Sequence, residues 1–486
     1  MKHFFLRTYG CQMNVHDSER MHGLLAAEGY ATVEKPDEAD VIILNTCAVR
    51  EKPERKLLAE LGNLKRLKAK NPSLVIGVAG CIAPRDGDLI RAKAPFVDFL
   101  LGPRSIHRLP EILKKIRAGM SKMDSVDLTD NPTLPTPVRR AGTISAWVDV
   151  LFGCSFQCTF CAVPSARGAE ISRPPQQILA EIDDLVALGY KEITLLGQTV
   201  NAYGRDWRYR TQNDDDDDDD DRNILSKSDA VNKIPNSKFQ ILNSVRLDFA
   251  WLLHQIDRRA PGLRVRFTSP HPQLFNQRLI NAIAGLPTVC EHIHLPLQSA
   301  DNTILRRMKR AYSYQGFCKV VDKLRSAVPD IAITTDIIVG FPGETEAQFK
   351  RTLQAMEDLQ FDQAFMFAYS PRRHTVAAGF NDVIPPEIAR DRLQILINTA
   401  NTIFQKKNQR AVGRILEVLV EGPSEKNPRK LCGRTRQNKM MVFDGPKSSI
   451  GKLAKVEAVK GYLWGFQGKV VDKVDDVLMG AEKSCS

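Results

Sequence analysis

Short apolar runs alternate with amphipathic stretches over the first 115 residues: HFFLRTYG, the helix-like SERMHGLLAAEG, VIILNT, a helical segment over about 52–70, then LVIGVAG. Strands alternating with helices predict an α/β domain with a parallel sheet. Residues 120–140 are rich in Pro, Asp and Thr and have no period, which predicts a linker. A second, longer series follows, in which ISAWVDVLFG, EITLLGQ, RVRFTS, HIHLPLQ, IAITTDIIVGF and FMFAYSP read as strands. Amphipathic helices lie between several of them, at 176–189 and 346–359 for example. Six such units fit a barrel or partial barrel with its chemistry at the C-terminal strand ends. After a helical segment near 386–408, the β-rich pieces ILEVLVEG, KLCGRTRQNKMMVF and LAKVEAVKGYLWGFQGKVV predict a small β-barrel. The division is therefore 1–118, a linker at 119–140, a partial (βα) barrel at 141–408, and a β-barrel at 409–474.

With 486 residues, 43% of them hydrophobic, the chain has the length of about three domains and enough apolar side chains for several cores. No apolar run reaches 18 residues, and Arg7 breaks the N-terminal stretch before a signal-peptide core forms. A cytoplasmic location and no membrane partner are expected. The net charge of +12 becomes +20 once the eight aspartates at 214–221 are set aside, and that remainder calls for a polyanion. The aspartates sit in a polar stretch at 205–245 that interrupts the barrel series and reads as a disordered surface insertion.

Ten cysteines in a cytosolic chain point to metal or redox chemistry rather than disulfides. Cys154, Cys158 and Cys161 form Cys-x-x-x-Cys-x-x-Cys directly after a strand, so one loop presents three thiolates. That donor set suits zinc or an iron–sulfur cluster, and with three local ligands one metal position stays open. Cys11, Cys47 and Cys81 each follow a separate predicted strand, FLRTYG, VIILNT and VIGVAG. In a parallel sheet those strand ends share one edge, so the three can converge; otherwise they are three unrelated buried cysteines.

The Cys154 loop, at the head of a βα series, resembles the radical-SAM superfamily, whose members cleave S-adenosylmethionine with a 4Fe-4S cluster. With TYGCQMN, NTCAVRE, Gly80-Cys81, RGAEISR, LLGQTVNAYG, FTSPHP, HLPLQSAD, DIIVGFPGET and YSP in view, the chain resembles the methylthiotransferases. GRTRQNKMMVF resembles part of a TRAM module, an RNA-binding β-barrel. Gln12 and Met13 resemble the branch acting on N6-dimethylallyladenosine beside the tRNA anticodon, rather than the ribosomal-protein branch with Leu-Gly-Cys-Pro-Lys-Asn. The resemblance implies two 4Fe-4S clusters and S-adenosylmethionine as cofactors. Cys154, Cys158 and Cys161 would hold the first cluster, with Phe160 beside the adenine of S-adenosylmethionine; Cys11, Cys47 and Cys81 would hold the second, which carries the sulfur to be inserted. It further implies tRNA, a reducing protein such as a flavodoxin and a sulfur donor as partners of a monomer. The sequence departs from the family at Ser165 and Ala166, where Tyr-Thr is usual, and at Arg373 and His374, where Pro-Gly is usual.

Gln198, Asn201, Gln298 and Asp336 lie at strand ends or on a strand of the expected active face; they could hydrogen-bond S-adenosylmethionine or simply cap loops. GFPGE at 340–344 lacks a phosphate-loop spacing and reads as a turn shaping the pocket. Basic stretches at 50–70, 306–310 and 429–439 could track an RNA backbone, the last with Tyr462, Trp464 and Phe466 nearby. Two other activities fit less of the chain: modification of a ribosomal protein, or RNA binding by a non-catalytic iron–sulfur regulator.

Overall fold

The computed structural model describes residues 2–48, 51–207 and 246–471. The aspartate run, most of the expected insertion and Cys485 lie outside these described residues.

The first domain runs β1 (Lys2–Tyr9), α1 (Gln12–Ala27), β2 (Tyr30–Thr32), β3 (Val41–Thr46), α2 (Glu51–Lys70), β4 (Val75–Ala79), α3 (Ile82–Lys93), β5 (Phe99–Leu101), α4 (Leu109–Arg117) and β6 (Met123–Ser125). Its strands form one parallel sheet, ordered β2-β1-β3-β4-β5-β6. VIILNT is apolar almost throughout because β3 is central and covered on both faces: Ile42 and Leu44 enter one core, Val41 and Ile43 the other. β6 falls inside the expected linker and corrects it, since Met-Asp-Ser is too short for any periodic signal yet pairs in register with β5. The rest of that segment is packed against α1. Arg20 donates from Nε to Thr136 Oγ1 at 2.9 Å and from Nη2 to the Pro132 carbonyl at 3.2 Å.

The second domain comprises β7 (Ser145–Asp149), β8 (Leu151–Phe152), α5 (Val163–Arg167), β9 (Ile171–Ser172), α6 (Pro175–Ala187), β10 (Glu192–Leu196), α7 (Phe249–Arg259), β11 (Arg264–Phe267), α8 (Gln277–Gly285), β12 (His292–His294), α9 (Asn302–Arg307), α10 (Tyr314–Ala327), β13 (Ala332–Val339), α11 (Glu346–Leu359), β14 (Gln363–Ala368) and α12 (Pro386–Arg410). The six expected strands make two parallel sheets, β11-β10-β7 and β12-β13-β14, linked by a bridge between Val265 and Val289. Alternation along each strand sorts the faces. Ala146, Ile193, Val265, Ile293, Ile333 and Ile337 join the core beneath the helices, which leaves Trp147, Thr194, Arg266, His292, His294 and Asp336 to the barrel interior.

The last domain is a closed barrel of β15 (Ile415–Ser424), β16 (Asn427–Thr435), β17 (Met440–Phe443), β18 (Leu453–Tyr462) and β19 (Gly465–Val470) around Val418, Val420, Met441, Phe443 and Val456. It is docked on the N-terminal ends of the second-domain strands. Arg264, only 2% exposed, donates from Nη1 to the Arg434 carbonyl at 2.9 Å and from Nη2 to Glu417 Oε1 at 2.8 Å. Arg266 donates to the Thr435 and Arg436 carbonyls, each at 2.8 Å, while its Nε holds Glu192 at 2.8 Å. The chemistry at the opposite strand ends is thereby left open to the first domain.

Candidate active site

Cys11, Cys47 and Cys81 lie just beyond β1, β3 and β4, three adjacent strands, so the sheet brings them to one edge as the spacing predicts. The Cys47 N–H donates to the Tyr9 carbonyl at 2.8 Å. Two asparagines, unremarked in the sequence reading, pin the loops: Cys11 Sγ donates to Asn14 Oδ1 at 3.4 Å, Asn14 Nδ2 to Asn45 Oδ1 at 3.3 Å, and Asn45 Nδ2 to the Asn14 carbonyl at 2.8 Å. Gly80 has φ +91°, and a Cβ there would stand 2.3 Å from Asn45 Oδ1, so only glycine lets Cys81 approach.

The second domain reaches into this triad. Arg167, the first residue of RGAEISR, donates from Nε to Cys81 Sγ at 3.1 Å and from Nη2 to Asp17 Oδ2 at 2.5 Å. Arg104 of the first domain returns a bond from Nε to the Arg167 carbonyl at 2.6 Å. A hydrogen bond from Cys47, helped by the Arg167 charge, holds the Cys11 thiol down at about 5, whereas burial pushes the Cys81 thiol up against the same arginine.

Cys154, Cys158 and Cys161 occupy the loop between β8 and α5. Gly153, at φ +74°, turns this loop beneath the Ala169 carbonyl, which a Cβ would meet at 2.1 Å. Cys154 Sγ lies 3.2 Å from Thr199 Oγ1, and Arg310 Nη1 donates to Cys158 Sγ at 3.3 Å. Burial pushes Cys154 up and Cys161 up to about 12, so each thiol keeps its proton until a cation displaces it. Among the described residues no three His, Cys, Asp or Glu groups close around a point that one ion would fill. A cluster is larger than an ion, and both donor sets, thiols beside an arginine, fit one. Cys290 precedes β12, Cys318 lies on α10 and Cys432 on β16, outside both triads.

The four polar candidates separate. Both amide atoms of Gln198 are buried without a hydrogen-bond partner, as is Gln298 Oε1, and Gln298 is held at φ +71°. Such groups cost about 1–3 kcal/mol each when unpaired, so they fit a ligand rich in donors and acceptors such as S-adenosylmethionine. Asn201 instead commits its amide to the backbone of His271, accepting from its N–H at 2.7 Å and donating to its carbonyl at 3.0 Å. That clamp sets the His271 ring parallel to Phe156 at 3.9 Å and leaves His271 Nε2 unpartnered. Burial, with Arg310 and Arg205 nearby, pulls His271 down to about 2, so the ring is neutral. Asp336 pairs with His294 at 3.3 Å, and Phe160 packs with Met308, Phe341 and Ile338. Gly340, the first residue of the GFPGE turn, donates its N–H to Glu344 at 2.7 Å, and Arg392 holds the same carboxylate at 3.0 Å.

Of the departures, Ala166 is buried in the first-domain core and Arg373 lies 3.7 Å from Asp86 of α3. His374 takes φ +63°, a left-handed conformation that explains the usual glycine.

A cavity of about 620 Å³ occupies the barrel interior where all three domains meet, lined by Gln12, Trp147, Thr194, Arg266, His292 and Arg434 among others. Its size suits a nucleotide. Two expected RNA-tracking stretches are partly engaged elsewhere. Arg310 serves Cys158 and Tyr312, Arg436 is held by Glu291 at 2.7 Å, and Lys439 by Asp362 at 3.4 Å.

Residues 3–102 match the model of the Uncharacterized protein family UPF0004, residues 148–356 the Radical SAM superfamily, and residues 409–471 the TRAM domain. The chain is thus a radical SAM protein with an N-terminal UPF0004 domain and a C-terminal TRAM barrel. A radical S-adenosylmethionine methyltransferase, TsrM, from Kitasatospora setae shares the fold, with TM-score 0.53 at 12% identity over 78% of this chain and 77% of that chain. The tRNA-2-methylthio-N(6)-dimethylallyladenosine synthase of Geobacillus thermodenitrificans is 41% identical over 98% of this chain and 84% of its own length. That of Moorella thermoacetica is 42% identical over 97% and 99%. This chain belongs to the tRNA-2-methylthio-N(6)-dimethylallyladenosine synthase family.

Proposed function

We propose that the chain converts N6-dimethylallyladenosine in tRNA to its 2-methylthio derivative. Adenine C2 bears an unactivated C–H bond with no leaving group, so polar substitution fails and the cofactors must carry the hard step. The cofactors are two 4Fe-4S clusters and S-adenosylmethionine; when bound they supply the reducing electron, the sulfur and the methyl group. Cys154, Cys158 and Cys161 hold one cluster and Cys11, Cys47 and Cys81 the other. Gln198 and Gln298 would offer their unpaired amide atoms to S-adenosylmethionine, Asn201 positions His271, Phe160 would lend an apolar side chain beside the adenine, and Asp336 would add a polar contact.

The observation that carries this reading is the Arg167–Cys81 contact, which ties the helix directly after the Cys154–Cys161 loop to the other triad. Two separate sites must act on one base, and this contact holds that helix against the Cys81 loop. The three-domain cavity takes the nucleotide, and the TRAM barrel contributes to tRNA binding. A reducing protein and a sulfur donor complete the partners of a monomer. Among the described residues no helix is long and apolar enough to cross a membrane; the cytoplasm, where tRNA is modified, is the proposed location.

Digestion and mass spectrometry of tRNA from cells lacking the protein should show N6-dimethylallyladenosine accumulating without its 2-methylthio form. Unchanged tRNA nucleosides with an altered ribosomal peptide would overturn the assignment.

A further inference from the structure

Two aromatic rings stand exposed inside an otherwise well-packed domain. Phe365 is 51% and Phe367 42% exposed, both on β14, whereas Ala364 and Met366 between and beside them join the core under the helices. Strand alternation therefore turns both rings to the barrel interior. There Phe365 is in register with Asp336, and its ring meets that of His294 edge-on at 5.7 Å. His292, two residues before His294 on the same face, lines the three-domain cavity that also reaches Gln12, next to Cys11. On the other side Phe367 is in register with Ile338, which packs in one cluster with Phe160 of the Cys154 loop. The two phenylalanines thus form an apolar strip between the two cysteine triads. Trp147 and Ile338 share this interior, whereas Thr194, Arg266, His292, His294, Thr334 and Asp336 around the strip are polar.

Exposed apolar surface of this kind marks a binding site. A polar pocket would suffice for adenine alone, which is rich in donors and acceptors. The substrate of the proposed reaction differs from plain adenosine by five carbons on N6, and only an apolar wall can register them. We propose that Phe365, with Phe367 beside it, receives the N6-dimethylallyl group and is the contact by which this chain distinguishes its proposed substrate from plain adenosine. The inference rests on the activity proposed above. Removing apolar contacts of about a methylene's worth changes discrimination 10-fold or more, so loss of a whole ring should exceed that.

The test uses two synthetic anticodon stem-loop RNAs, one with adenosine and one with N6-dimethylallyladenosine at the target position, and the reconstituted full-length enzyme. Wild type should favour the prenylated RNA in kcat/KM. Phe365→Ala should lower kcat/KM for the prenylated RNA by at least 10-fold while leaving the unmodified RNA within about twofold. Phe365→Leu, which restores aliphatic surface, should recover part of the preference, and Phe367→Ala should show a smaller loss. Because the ring is half exposed in the free protein, Phe365→Ala should keep the wild-type melting temperature. Equal losses on both RNAs, an unchanged preference, or a lowered melting temperature would overturn the proposal. Wild-type enzyme that modifies neither RNA would instead defeat the underlying activity, and the strip with it.

Discussion

Arg167 Nε lies 3.1 Å from Cys81 Sγ, although Arg167 ends α5, the helix that follows the loop of Cys154, Cys158 and Cys161, and Cys81 belongs to a different domain. Its other contact, with the buried Asp17, leaves an isolated carboxylate if the guanidinium is removed. Arg167→Met is expected to cost about 3–5 kcal/mol in denaturant unfolding and to reduce methylthio product more than tenfold. Arg167→Lys keeps the charge but cannot serve both partners, so it should fall between. Wild-type unfolding and turnover in Arg167→Met would show that the contact is incidental.

Replacing Cys11, Cys47 and Cys81 together by Ala should halve the iron of the reconstituted protein, from about eight to about four per chain. Reductive cleavage of S-adenosylmethionine should survive and methylthio product should vanish. Substituting Cys154, Cys158 or Cys161 should abolish both. Iron analysis and quantified cleavage products decide this, and product from the N-terminal triple variant without added sulfide would refute the division.

Removing the small barrel, by ending the chain after 408, has two expected effects. tRNA affinity should weaken and its salt dependence flatten as phosphate contacts go. Arg264, Arg266 and Glu192 would also be uncovered, so the remaining domains should unfold at lower denaturant. Arg266→Ala in the full chain isolates the second effect: Glu192 and two carbonyls lose their donor, a cost of roughly 2–5 kcal/mol. A truncated protein as stable as the whole would show the docking to be energetically neutral.

Why this docking was illegible in the sequence is a matter of partner type. Arg264 and Arg266 sit in RVRFTS, which correctly reads as a strand, but besides Glu417 and Glu192 their partners are backbone carbonyls some 170 residues away, and a carbonyl has no sequence signature. The same holds for β6, whose stability lies in its pairing with β5. Cys11, Cys47 and Cys81 were legible because each follows its own apolar run, and parallel pairing places such positions together. Gln198 and Gln298 read as polar residues at strand ends; that the Gln198 amide and Gln298 Oε1 are unpartnered, while the Asn201 amide is committed to His271, depends on loop geometry that no spacing rule contains. Arg167 was visible as part of RGAEISR, not as a bridge, since charge alone does not name a partner across a domain boundary.

Stability should also depend on pH through His16, buried between Asp149 at 3.3 Å and Glu19 at 3.0 Å where α1 meets β7. Burial alone would lower its affinity for a proton, but Asp149 and Glu19 outweigh it and raise it above the ordinary 6.5. The contribution is therefore full below pH 6.5 and fades as pH rises through the raised value; Asp149, itself pushed up by burial, acts in the same sense. His16→Gln should lower the melting temperature most at pH 6 and progressively less toward pH 9. A difference independent of pH would mean that His16 binds its proton equally in the folded and unfolded chain.

The arginines that seat the small barrel impose an order on biosynthesis. Arg266 leaves the ribosome 170 residues before the Arg436 carbonyl that accepts its bond, an interval of roughly 10–30 s at ordinary translation rates. Throughout that interval Arg264 lacks its barrel acceptors and Arg266 has only Glu192. A chain that stalls or is cut before the final strands would keep both arginines exposed, and so be marked for cellular triage by its own unfinished floor.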